Sequence, residues 1–183
     1  MKYKLRHISP IVLIAIVFYF YSFLIHNSIA ANDGQIGTTS SGSVNISLSI
    51  PKLIRIKNLA DVSFPTYSGS GDLSFNKDIT IAVNYSTGGY RITATGSGAG
   101  NAFMVIDGSK QVPYSVLFNK QTGVTGASAL TPGTSLTGLT GAVKPIGSTV
   151  LNANYQVKFL DANLQAIEAG NYSGILTLVV APE

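Results

Sequence analysis

Cysteine and tryptophan are absent from the 183 residues, and the only two histidines, His7 and His26, lie close to the N-terminus. No disulfide framework, thiolate nucleophile or cysteine-ligated zinc is therefore possible. Beyond residue 30 there is no imidazole base either. Charge is equally scarce, at 11% of residues. The carboxylates beyond residue 30 are Asp33, Asp61, Asp72, Asp78, Asp107, Asp161, Glu168 and Glu183. Most sit in turn-like surroundings, where a short carboxylate bonds its own backbone, and none are paired closely enough to suggest a two-acid hydrolytic site. No twelve-residue calcium loop is present. These absences lead to the expectation of a protein that is not an enzyme, with no catalytic residue, no metal and no cofactor.

The N-terminus carries an address. Lys2, Lys4 and Arg6 precede the apolar run Ile11–Ile25, and small residues follow at Ser28 and Ala30. This is the order of a secretory signal peptide over residues 1–30, cut between Ala30 and Ala31. An uncleaved anchor is the alternative, but the run is short of the roughly 20 residues that a spanning helix needs. Past it, nine lysines and arginines stand singly against eight acids. With no basic cluster, neither nucleic acid nor an anionic membrane surface is expected as a partner, and no membrane embedding is expected after cleavage. Stability must come from an apolar core, and about 150 residues suffice for one domain.

That remainder reads as strands. Residues 31–42 form a polar, flexible leader rich in Gly, Ser and Thr. Val44, Ile46, Leu48 and Ile50 then alternate with Ser43, Asn45, Ser47 and Ser49 before Pro51 interrupts. Leu53–Lys57 is a second extended piece, followed by a loop over Asp61–Asp72. Ile79–Tyr85 and Tyr90–Thr95 alternate on either side of Ser86-Thr87-Gly88-Gly89, a pattern that predicts a hairpin. Phe103–Ile106, Val112–Phe118 and Tyr155–Phe159 are further strands, and Thr122–Gly147 reads as loops and short edge pieces. Asp161–Ala169 reads as a loop or one helical turn. The chain closes on Gly170–Glu183, where Tyr172, Gly174, Leu176, Leu178 and Val180 share one strand face. No helical periodicity extends over ten residues, so the expected class is an all-β sandwich.

Three stretches carry a resemblance. The run from Ala169 to Val180 (AGNYSGILTLVV) resembles the C-terminal strand of chaperone–usher fimbrial subunits, or pilins. It is closest to the major pilins of the colonisation-factor-antigen type, and also similar to secreted spore-coat-U-like domains. Ser43–Pro51 resembles the N-terminal strand of the same pilins, which also runs into a proline, and Gln111–Val116 resembles their central segment.

The resemblance implies an immunoglobulin-like sandwich of pilin type, lacking its last strand and completed by a donor strand from another copy. Residues 51–183 would be the pilin-like domain. Val44, Ile46, Leu48 and Ile50 (within 43–50) would be the donor strand, and Tyr172, Gly174, Leu176, Leu178 and Val180 a wall of the acceptor groove. The implied partners are a periplasmic pilus chaperone, an outer-membrane usher, and other copies of the chain or sister pilins, with a host glycan or receptor as a further possibility. The implied route is through the periplasm to the fimbrium at the cell surface. Ser43–Ile50 can equally be the domain's own first strand. In that case the chain would be a terminal adhesin, or a coat-U-like secreted surface protein that binds a receptor or glycan.

Overall fold

Ten strands form in a computed structural model that describes residues 31–183, so the signal-peptide reading of residues 1–30 lies outside the described residues. Residues 51–183 make up one folded unit. Its strands are β1 (Ile54–Lys57), β2 (Leu73–Val83), β3 (Tyr90–Thr95), β4 (Met104–Asp107) and β5 (Lys110–Pro113). They continue with β6 (Ser115–Asn119), β7 (Ser128–Ala129), β8 (Ser135–Leu139), β9 (Ala153–Phe159) and β10 (Thr177–Pro182). A short α-helix, α1 (Asp161–Gln165), follows β9, where a loop or one helical turn is expected.

Two antiparallel sheets face each other in an immunoglobulin-like sandwich, one ordered β1-β2-β9-β6-β7 and the other β10-β3-β8. Alternation explains the core: Ile79 and Ile81 of β2, Val157 of β9 and Val116 of β6 meet Tyr90, Ile92 and Ala94 of β3. The Tyr90 ring crosses the layer to Phe118 edge-on, with centroids 6.3 Å apart. A chain of rings, Phe103–Tyr114–Phe159–Phe64, fills one end at centroid spacings of 5.6, 5.5 and 5.1 Å.

Three sequence expectations are corrected. The glycine loop after β2 does not close a hairpin, because β2 pairs β1 and β9 while β3 pairs β10 and β8. Period-two alternation is the same for a hairpin and for a chain crossing between sheets, so the pattern could not separate them. Val112–Phe118 is likewise two strands, not one. The chain passes from the small β4–β5 hairpin into the large sheet at Tyr114, whose N–H donates to the Phe103 carbonyl at 3.0 Å. The closing strand begins only at Thr177, so Tyr172, Gly174 and Leu176 lie ahead of it.

A polar row on the outer face of the large sheet pins the loop after β6. Asp78 Oδ1 accepts from the Gly123 N–H and from Asn154 Nδ2, both at 2.8 Å. Asn119 Nδ2 donates to the carbonyls of Gly123 and Thr125 at 2.8 and 2.9 Å. The Gly123 N–H, with the Asn154 amide second, holds the Asp78 carboxyl below its ordinary value. A depressed folded-state value gives stability that is present above the unfolded carboxyl's pKa and lost as pH falls through the folded one. Asp78→Asn should therefore cost about 1 kcal/mol at neutral pH and flatten the acid limb of a urea-midpoint-against-pH curve. An unchanged limb would show that the loop is held by other contacts.

Tyr90 presents the opposite case. Its hydroxyl is buried without a hydrogen-bond partner, and burial pushes its pKa up. Tyr90→Phe removes a desolvated group that gives nothing back, so the thermal midpoint should hold or rise, with the gain about 1 kcal/mol at most.

Candidate strand-addition site

The two sheets have open rims on the same side of the sandwich. β1 pairs only β2, and β10 pairs only β3. The two edge strands approach each other, and Lys52 Nζ, ahead of β1, donates to the Glu183 carbonyl, after β10, at 2.7 Å. The beginning of one strand thus meets the end of the other, so they run in opposite directions.

Register shows what each rim offers. Ile54 and Ile56 sit opposite Val83 and Ile81, both fully buried, yet remain half-buried themselves. Leu178 and Val180 sit opposite Ala94 and Ile92, also fully buried, and are again only half-buried. Cross-strand partners point the same way, so all four side chains face the core. They stay partly exposed, and among the described residues no strand flanks them on the outer side. Two rows of inward-facing apolar groups thus border one slot at the rim where β1 and β10 approach each other.

Hydrogen-bond alternation gives the same answer from the backbone. The Asn84 N–H donates to the Leu53 carbonyl at 3.3 Å, extending the ladder by one pair. Arg55 and Lys57 therefore exchange bonds with β2, while Ile54 and Ile56 turn their N–H and C=O groups to the open side. On β10 the Glu183 N–H donates to the Gly89 carbonyl at 3.0 Å, so Thr177, Val179 and Ala181 bond β3. Leu178 and Val180 then face outward, and neither has a backbone partner across the slot within residues 51–183. Pro182 also falls on the outward side, where its missing N–H interrupts no ladder bond. The four inward-facing side chains that are only partly buried thus belong to residues whose backbone groups face the open side.

Tyr172, Gly174 and Leu176 lead into this rim from another partner. Ser173 and Ile106 exchange both backbone bonds, at 2.8 and 3.1 Å, tying this stretch to β4. The Ser97 hydroxyl then takes the place of a ladder residue, accepting from the Ile175 N–H at 2.7 Å. Tyr172 is half-buried, and its hydroxyl donates to the Glu168 carbonyl at 2.8 Å. Leu176 packs at the margin of the core. Gly174 lies against the β4 backbone, and a Cβ there would stand 2.8 Å from the Met104 carbonyl oxygen. The β4 contact and Ser97 were not visible in the sequence, since neither belongs to an alternating pattern.

The other half of the expected pair, Ser43–Ile50, belongs to no sheet in the structure. Val44, Ile46, Leu48 and Ile50 are 70, 91, 83 and 68% exposed. Just upstream, Asn32 and Ser43 exchange two backbone hydrogen bonds of 2.9 Å, closing a ring across the polar leader. Tyr90, Tyr114 and Tyr155 are buried in the core.

Comparison with known proteins gives little beyond fold. No family model and no curated protein matches the chain. A solved structure described as a chaperone–tip adhesin complex vital for synergistic activation of CFA/I fimbriae biogenesis is similar at 18% identity, with a TM-score of 0.48. The match covers 71% of this chain but only 41% of that one, so this chain spans less than half the length of its structural neighbour.

The Gly174 contact is directly testable. Gly174→Ala forces either the β4 backbone or the 172–176 stretch to move, and should cost about 1–3 kcal/mol. A urea titration will read this as a lower midpoint. An unchanged midpoint would show that the approach of Gly174 to Met104 does not position the rim.

Proposed function

We propose that this protein is a structural subunit of a fimbria or pilus, built by strand addition between copies. Ser43–Ile50 of one copy enters the slot between β1 and β10 of the next. The observation that carries this reading is the coincidence, at Ile54, Ile56, Leu178 and Val180, of half-exposed inward side chains with unpaired outward backbone. A strand laid between them closes two ladders and covers four apolar groups in one step.

The occupant is argued from its own pattern. Four exposed apolar residues at a spacing of two present one face to a core, and the serines and asparagine between them present the other to water. Eight extended residues reach about 26 Å, which exceeds the roughly 20 Å of a six-residue strand such as β10. The resemblance of the same two stretches to pilins supports the pairing. It also brings with it the periplasmic chaperone and the outer-membrane usher as assembly partners, and adhesion or biofilm formation at the cell surface as the purpose.

Two substitutions separate folding from assembly. In the full secreted chain, Ile46→Asp and Leu48→Asp each place a charge where the slot needs an apolar group. Chain–chain assembly, read by sedimentation, should be abolished, while the chaperone-bound subunit keeps its circular-dichroism spectrum. Assembly at the wild-type level by both variants would overturn the reading.

A further inference from the structure

The same slot poses a question that strand addition between copies leaves open. Each chain carries its own Ser43–Ile50 only three residues ahead of β1, which is itself one wall of its own slot. A segment that close could fold back and fill the slot from within.

The residues that join segment to strand are held against such a reversal. The Leu53 N–H donates to Asn84 Oδ1 at 2.7 Å, and Asn84 Nδ2 donates to the Pro51 carbonyl at 2.9 Å. With the Asn84 N–H on the Leu53 carbonyl, one asparagine grips both ends of Pro51-Lys52-Leu53. Lys52 is fixed separately, its Nζ on the Glu183 carbonyl at 2.7 Å and 5.2 Å from the centre of the Tyr85 ring. The Tyr85 hydroxyl is in turn anchored on the Gly89 carbonyl at 2.7 Å. Pro51 through Lys57 is therefore one run pinned to β2 and the turn that follows it, and any reversal must begin upstream of Pro51.

Upstream, the chain offers no residue that readily takes the positive φ of a tight hairpin loop. Tight hairpin loops need one or two positions at positive φ, which glycine, asparagine and aspartate supply. Between Asn45 and Asn58 there is none of the three. Ile50 is β-branched, and the Pro51 ring holds φ near −65°. Turning at Ser49-Ile50 would also remove Ile50 from the set that fills the slot.

We infer that the Asn84 clamp, together with the turn-poor stretch it grips, keeps each donor segment out of its own slot, so that every copy remains open to another. This deepens the proposed function, on which it rests, by assigning Asn84, Lys52 and Tyr85 as positioning residues.

Cysteine cross-linking tests it cleanly, because the chain has no cysteine of its own. Chains bearing Asn45→Cys, Ser47→Cys or Ser49→Cys are refolded with chains bearing Thr177→Cys or Val179→Cys, and the same pairs are also placed on single chains. With an added thiol oxidant, the expected result is disulfides between chains, whose formation falls away on dilution, and no intrachain product. Intrachain disulfides that persist at high dilution would overturn the clamp and leave strand addition standing. No disulfide in either arrangement would overturn both. A variant with Pro51→Asn, Lys52→Gly and Asn84→Ala supplies the missing turn and releases the grip. It should shift the product from interchain to intrachain, and retention of the interchain pattern would overturn the clamp.

Discussion

The constraint on which the rest depends is the unfinished rim between β1 and β10. A sandwich covers apolar faces by apposing sheets, but it covers the flanks of each sheet only by pairing strands. Here Ile54, Ile56, Leu178 and Val180 lie in the core layer with one flank open, although their ladder partners Val83, Ile81, Ala94 and Ile92 are fully buried. The exposure is therefore a property of position and not of residue choice.

Magnitudes show what kind of occupant the rim accepts. Burying four Val, Leu or Ile side chains contributes about 6–12 kcal/mol. Ordering the backbone of eight residues costs about 8–16 kcal/mol. Side chains alone thus do not hold a flexible segment in place. Ladder bonds of about 1 kcal/mol each, made on both flanks, are needed to close the difference. On the proposed strand addition, a peptide or loop that met only one wall would fall short of a strand that pairs with β1 and β10 together.

Much of this was legible in the sequence, and what was missed shares one cause. Alternation placed Val44, Ile46, Leu48 and Ile50 on one face, gave Leu178 and Val180 the same side, and showed an all-β class, because period two is a local property. Pairing is not local. The Tyr90–Thr95 strand and its predecessor alternate as hairpin partners do, yet they belong to opposite sheets. Gly174 alternates correctly with Tyr172 and Leu176, but what demands a glycine there is the β4 carbonyl of Met104, seventy residues earlier in the chain. Asn84 illustrates the point from the other side. In sequence it is one more asparagine beside a turn, and only the ladder between β1 and β2 reveals that its side chain holds Pro51 and Leu53.

An open slot and a nearby strand are compatible only if something separates them. Self-closure is a unimolecular step, favoured over any encounter between copies by the effective concentration of a short linker. A chain free to reverse at Pro51 would therefore close on itself before meeting another, and the proposed strand addition between copies would not begin. The three-residue junction makes proximity a hazard, and the same junction supplies the remedy. Its brevity lets one side chain, Asn84, fix both of its ends. Proline at its head and isoleucine before it then deny the upstream chain a turn. On this argument a longer or glycine-containing junction would not give a more adaptable subunit. It would give a monomer.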